Sequence, residues 1–451
     1  MKIECMQKYL IRDIRIVNEG AVKEGDILLE DGRIAAIGGM LPGRPGAREI
    51  DGRGRYLLPG VIDDQVHFRE PGLTHKANIH TESRAAVAGG VTSYMEMPNT
   101  SPPALTIGLL EEKYAIAART SLANYSFFMG TSNENMEDAL RVNDHKRDIC
   151  GIKVFMGSST GNMLVDNVLS LEGLFSRSEV LIATHCEDER LTRANLQRMQ
   201  ASGRELGPAD HPLVRDVETC FESSFLAVQI AKRHGTRLHI LHISTARELQ
   251  LFSNMLPLAE KRITCEVCVH HLHFTSDDYA RLGYRIKCNP AIKSPENREA
   301  LWKALLDDTI DVIATDHAPH TIEEKQGPYT HAHAGLPLVQ HSLPLMMHYH
   351  REGRIPIERI AQKMSHDVAT CFGIRERGFI REGYHADLVI VDPDRPFTVD
   401  ASNIRYKCGW SPFEGFRFPS SVTHTFVSGH LAYEEGRLDE GRMGSRMEFD
   451  R

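Results

Sequence analysis

The chain has 451 residues, of which 41% are hydrophobic and 25% charged, and its formal net charge is -8. That length can bury a large core, most naturally one large domain with a smaller one. The acidic balance argues against a general nucleic-acid binder, which needs a basic face, and no run of about 18 apolar residues marks a membrane span.

The start, Met1 to Lys8, has no apolar signal core, so a cytoplasmic address is expected. Nine cysteines form no evident disulfide framework, which suits reduced thiols. Cys265 and Cys268 share a strand-like run and read as core thiols. Residues 1–58 carry short alternating segments and turns, with Asp31-Gly32 as a hairpin signal. Similar texture returns at 386–392 and 422–428, where Ser428-Gly429 marks a turn. Two β-rich ends predict one small β-sandwich domain built from residues 1–58 and 373–451.

Residues 59–372 alternate apolar strand-like runs with helical stretches. The strands are expected at 60–68, 91–97, 125–129, 151–155, 180–185, 238–243, 263–269 and 311–315. Helical periodicity is clearest at 217–234 and 296–306. Eight β-units, each followed by a possible helix, predict a (β/α)8 barrel of the TIM type. A doubly wound sheet gives no reason for polar residues at nearly every strand end. No glycine-rich phosphate loop is present, so dinucleotide and ATP chemistry have no motif support.

Active sites of such barrels lie at the C-terminal ends of the strands. The first strand ends in Asp63-Asp64-Gln65-Val66-His67-Phe68-Arg69, where alternation puts Asp63, Gln65 and His67 on one face and Asp64 on the other. Strand two ends in Met97-Pro98-Asn99-Thr100. Lys153 lies on strand four, His185 ends strand five, His242 ends strand six and Asp316 follows strand eight. Histidine nitrogens and carboxylates are the usual ligands of a catalytic zinc. His239, three residues before His242, is read as structural, as are His270, His271 and His273. His317 points away from Asp316. Glu187 and Asp188 read as loop carboxylates, and His331, His333 and His341 as solvated.

The first-strand segment resembles the Asp-x-His-x-His signature of the amidohydrolase superfamily, with Gln65 where the first histidine is expected. Within it, His67-Phe-Arg-Glu-Pro-Gly72, Met97-Pro-Asn-Thr100, Lys287-Cys-Asn-Pro290 and Asp316-His-Ala-Pro-His320 resemble dihydroorotase, and the likeness covers nearly the whole chain. The resemblance implies a zinc-dependent cyclic amide hydrolase that interconverts N-carbamoyl-L-aspartate and L-dihydroorotate in pyrimidine synthesis. It implies one or two Zn2+ per subunit. His185 and His242 hold one ion, His67 and Asp316 the other, and a carboxylated Lys153 lies between. Asp316 is then also the catalytic proton carrier. Arg69, Asn99 and His320 are implied to clamp the substrate carboxylate, and Asn289, Ala334 and Gly335 to meet its ring. The family also implies a homodimer or homotetramer. Residues 323–335 are a candidate closing loop. A neutral amide is a weaker zinc ligand than imidazole, so Gln65 predicts a weakened metal position beside His67. Hydantoinase and allantoinase share the scaffold, and a non-catalytic partner of a transferase is the reading that Gln65 alone favours.

Overall fold

The computed structural model describes residues 7–157 and 163–451. The reading of the extreme N-terminus at residues 1–6 therefore lies outside the described residues. β1 (Lys8–Asn18), β2 (Ala21–Glu30) and β3 (Arg33–Gly38) form an antiparallel meander. Asp31 and Gly32 have φ of 51° and 82°. That left-handed pair is the two-residue turn whose twist matches the flanking strands. β4 (Ala47–Asp51) and β5 (Tyr56–Pro59) join β1 in parallel.

The barrel strands follow: β6 (Val61–Val66), β7 (Val91–Glu96), β8 (Asn124–Phe127), its resumption β9 (Met129–Gly130) and β10 (Ile152–Phe155). They continue as β11 (Ile182–His185), β12 (Leu238–Ile240), β13 (Ile263–Cys268) and β14 (Val312–Ala314). Each pairs in parallel with its neighbour. The last meets the first, since the His67 N–H donates to the His317 carbonyl at 2.7 Å and Val66 bridges His317 in parallel. With β8 and β9 taken as one strand, eight parallel strands form the ring among the described residues. β6, β7 and β10 are buried along their whole lengths, as expected of parallel strands covered on both faces.

The helix Val217–His234 falls on the range that the periodicity predicts. The Asp216 carboxylate accepts the Thr219 N–H at 2.9 Å to start it, and Gly235 at φ 66° ends it. The second predicted helix begins one residue early, at Pro295, because proline suits a first turn that needs no N–H.

After the barrel come β15 (Leu388–Asp392), β16 (Phe397–Thr398), β17 (Arg417–Phe418), β18 (Ser421–Val427), β19 (His430–Glu434) and β20 (Arg437–Leu438). β15 inserts between β5 and β18, so one nine-stranded sheet is drawn from both ends of the chain. Ile11, Ile27, Leu57, Leu388 and Phe426 share its separate apolar core. The C-terminal tail then passes under the barrel. The Met447 N–H donates to the Tyr125 carbonyl at 2.9 Å, and Met447 and Phe449 pack in one apolar cluster with Ile62, Met95 and Phe128.

Candidate active site

A cavity of about 260 Å³ opens at the C-terminal ends of the barrel strands. Every site candidate from the sequence lines it. Gln65, His67 and Arg69 come from the end of β6, Asn99 from beyond β7, Lys153 from β10 and His185 from β11. His242, Asn289, Asp316, His320, Ala334 and Gly335 complete the set, and Phe155, Ala318 and His333 fill the wall between them. Arg69, His242 and Asp316 have φ of 68°, 41° and 49°. Side-chain-bearing residues rarely adopt that region, and each costs about 1–3 kcal/mol that the surrounding fold must offset. The strain turns three side chains out of the strand line and into the cavity.

His67 and His185 are oriented by their outer nitrogens. The His67 Nδ1–H donates to Asn99 Oδ1 at 2.7 Å, which leaves the Nε2 lone pair facing Asp316 Oδ1 at 3.1 Å. The His185 Nε2–H donates to Glu187 Oε2 at 3.0 Å, and its Nδ1 meets His242 Nε2 at 2.9 Å. His242 Nδ1 has no partner among the described residues, so that ring can present either nitrogen. Burial lowers the pKa of all three rings, so each stays neutral and keeps one nitrogen lone pair. Neutral imidazoles beside a carboxylate are a donor set that fits a divalent cation.

Lys153 is fully buried, and its Nζ has no hydrogen-bond partner among the described residues. Desolvation lowers this amine to about 7, with Asp316 and Glu266 opposing the shift. Much of it is therefore uncharged at neutral pH, the form that can react with carbon dioxide. Gln65 is turned the other way from a ligand. Its Nε2 donates to Asp316 Oδ1 at 3.2 Å, and its Oε1 accepts from Cys268 Sγ at 3.6 Å.

Arg69 brings a second cationic group to the lining, backed by Lys76 and Lys325. Arg69 is buried, with Nε donating to the Pro319 carbonyl at 3.1 Å and a terminal nitrogen 3.2 Å from His320 Nε2. Burial lowers the Arg69 guanidinium to about 10, so it keeps its charge at neutral pH. Lys76 lies 3.1 Å from His320 Nδ1 and pairs with Glu324 at 3.1 Å. The Lys325 Nζ donates to the carbonyls of Lys287, His333 and Gly335 at 2.8–2.9 Å, fixing the loop that carries Ala334 and Gly335.

One sequence reading is corrected and another gains detail. Glu187 lies in the loop between β11 and the helix Glu189–Gln200, as read. It is fully buried, holds His185 and accepts from Arg215 at 2.5 Å. Its partner lies 28 residues away, and no local pattern announces it. His341 is not solvated. It is fully buried, bonded to the Tyr406 hydroxyl at 3.0 Å and stacked on Phe418. His333 is exposed as expected, yet it lines the cavity and stacks on His320. Asp188 caps the helix Glu189–Gln200. His317 is buried against Glu82 at 2.9 Å and does not line the cavity.

The sequence model of the Amidohydrolase family matches residues 56–432. An allantoinase of Desulfitobacterium hafniense is 31% identical over 97% of this chain and 98% of its own. A dihydroorotase of Halobacterium salinarum is 34% identical over 89% and 92%. The solved L-hydantoinase (dihydropyrimidinase) from Arthrobacter aurescens superposes with a TM-score of 0.91 at 27% identity, over 99% of this chain and all of that one.

Proposed function

The chain belongs to the amidohydrolase family as a cyclic amide hydrolase, and within it we propose that it is a dihydroorotase, interconverting N-carbamoyl-L-aspartate and L-dihydroorotate. The observation that carries this reading is Arg69, a buried guanidinium that lines the same cavity as His185 and His242. A buried cation facing an open cavity calls for an anionic group on the ligand. Dihydroorotate has an exocyclic carboxylate, whereas allantoin, hydantoin and dihydrouracil do not.

In this reading residues 59–372 are the catalytic barrel, and residues 1–58 with 373–451 are the second unit. Zinc is the ion that this imidazole and carboxylate set favours. His185 and His242 would hold one ion and His67 with Asp316 a second. Lys153 would lie between as a carbamate, formed when its neutral nitrogen bonds to the carbon of carbon dioxide and loses a proton. Zinc supplies positive charge against the developing oxyanion and acidifies water near neutral pH.

The chain's own groups do the rest. Arg69 grips the substrate carboxylate through its planar fork, with Asn99 and His320 completing the clamp. Asn289 and the backbone of Ala334 and Gly335 fix the ring, so that its amide carbonyl faces His185 and His242. Asp316 takes the proton of the attacking water and passes it to the leaving ring nitrogen. In the synthetic direction it runs the same transfer backwards. Gln65 holds the Asp316 carboxylate in place through its amide N–H.

The allantoinase-named and hydantoinase-named relatives keep a carboxylate-free cyclic ureide as the second reading. Steady-state hydrolysis of L-dihydroorotate, allantoin, hydantoin and dihydrouracil by the same zinc- and bicarbonate-supplied protein separates the two. The proposal requires the highest kcat/KM on dihydroorotate. A lead by any of the other three overturns it.

A further inference from the structure

Beneath the cavity, inside the barrel, a second set of ligand-type groups converges. Asp64 lies on β6 where the pairing with β7 shifts register between Asp63 and Val66, so its side chain, against the alternation expected from the sequence, turns to the inner side of the barrel as Gln65 and His67 do. There it meets His239 of β12 and Glu266 of β13. All three are 0% exposed. His239 Nε2 lies 3.4 Å from Asp64 Oδ2 and 3.3 Å from Glu266 Oε2, and one ligand atom from each residue falls within 4.8 Å of the others.

Three observations point to a ligand. First, neither Asp64 oxygen has a hydrogen-bond partner among the described residues, although the carboxylate is fully buried and aimed into the cluster. An unsatisfied buried carboxylate is costly. Second, the His239 tautomer is set by its other nitrogen. The Thr264 hydroxyl donates to the Leu238 carbonyl and so accepts from His239 Nδ1–H at 2.8 Å, which directs Nε2 at the two carboxylates. Third, the spacing fits a metal polyhedron. Zinc bonds to nitrogen and oxygen of about 2.0–2.2 Å place neighbouring tetrahedral ligands roughly 3.3–3.5 Å apart.

Two carboxylates and a neutral imidazole sum to -2, which a divalent cation cancels inside the barrel; without a cation, neutrality takes a proton on both His239 and Glu266, each of which holds its proton more tightly than usual. We propose that Asp64, His239 and Glu266 bind a structural divalent cation of the zinc class, separate from the ions of the catalytic cavity. Glu266 Oε1 also accepts the His242 N–H at 3.0 Å. The ion would therefore brace β12 and β13 directly behind His242. The site stands whether or not the substrate is dihydroorotate.

The test is X-ray anomalous diffraction above and below the zinc edge, together with metal analysis. It uses full-length protein expressed with zinc and dialysed against metal-free buffer. The expected result is an anomalous peak bonded to Asp64, His239 Nε2 and Glu266, with its zinc retained through dialysis. Glu266→Gln, close in shape, should lose that peak and one zinc equivalent per chain while peaks in the cavity remain. Asp64→Asn serves as the second variant if Glu266→Gln does not fold. The inference is overturned if the wild-type map has no peak there, if the ion leaves on dialysis, or if the folded variant keeps it.

Discussion

Asp316 Oδ1 receives the Gln65 amide N–H at 3.2 Å and faces His67 Nε2 at 3.1 Å. The carboxylate is thus held by a hydrogen bond at the point where an imidazole would have offered a lone pair. Replacing Gln65 with histidine restores a stronger ligand type. We expect Gln65→His to tighten metal binding beside His67 by roughly 10-fold or more, as judged from the range over which a single ligand-shell change alters affinity. Zinc titration with a competing chelator measures it. An unchanged second binding constant would mean that position 65 does not govern this metal.

Asp316→Asn keeps the size of the side chain and the chance of a bond to Gln65 but cannot carry the proton. Turnover should fall by at least about 10²–10⁴-fold, the range attributed to general acid–base groups, with an unchanged circular dichroism spectrum. Near-wild-type turnover would remove Asp316 from the proton path.

Glu187 makes stability depend on acid. Burial alone would raise its carboxyl, but Arg215 and the His185 bond outweigh burial and bring it down to about 2, against an ordinary 4.5. A carboxyl lowered in the folded state contributes stability that is complete above 4.5 and is lost as pH falls toward 2. Arg215→Met should therefore lower the melting temperature at pH 7, and the gap from wild type should narrow at pH 3. A gap that is constant with pH would show that the pair does not set this carboxyl.

Gly335 tolerates no side chain. Its φ is +140°, and a Cβ would lie 2.4 Å from the Ala318 carbonyl oxygen and 3.1 Å from His320 Cδ2. Gly335→Ala should displace the loop that Lys325 anchors. The resulting strain of about 1–3 kcal/mol should raise KM about tenfold, since each 1.4 kcal/mol is a factor of ten. Metal content should stay the same. A wild-type KM would show that the loop is not part of the binding wall.

Much of this site is legible in the sequence because barrel strands deliver their chemistry at predictable points. His67, Lys153, His185, His242 and Asp316 each stand at or beside the end of an apolar run, and the fold brings these ends to one cavity. What the sequence hides depends on pairing across distance. Glu187 needs Arg215, and Asp64 needs His239 and Glu266 from two other strands. The left-handed turns at Arg69, His242 and Asp316 leave no mark in periodicity, because strain is set by the closed ring and not by neighbours in the chain. The tail beneath the barrel is equally silent, since Met447 and Phe449 belong to no periodic face and meet Ile62 only in the fold.

Arg69 decides the central claim. The measurement is ring opening of L-dihydroorotate by zinc- and bicarbonate-supplied wild-type protein and by Arg69→Ala, with metal content checked in both. Wild type should turn over, and the variant should lose about 100-fold or more in kcat/KM with equal metal. That corresponds to roughly 3 kcal/mol, in the range of a charge-assisted bond to a carboxylate. Folded, metal-loaded wild type without turnover, or a variant as active as wild type, would contradict the account.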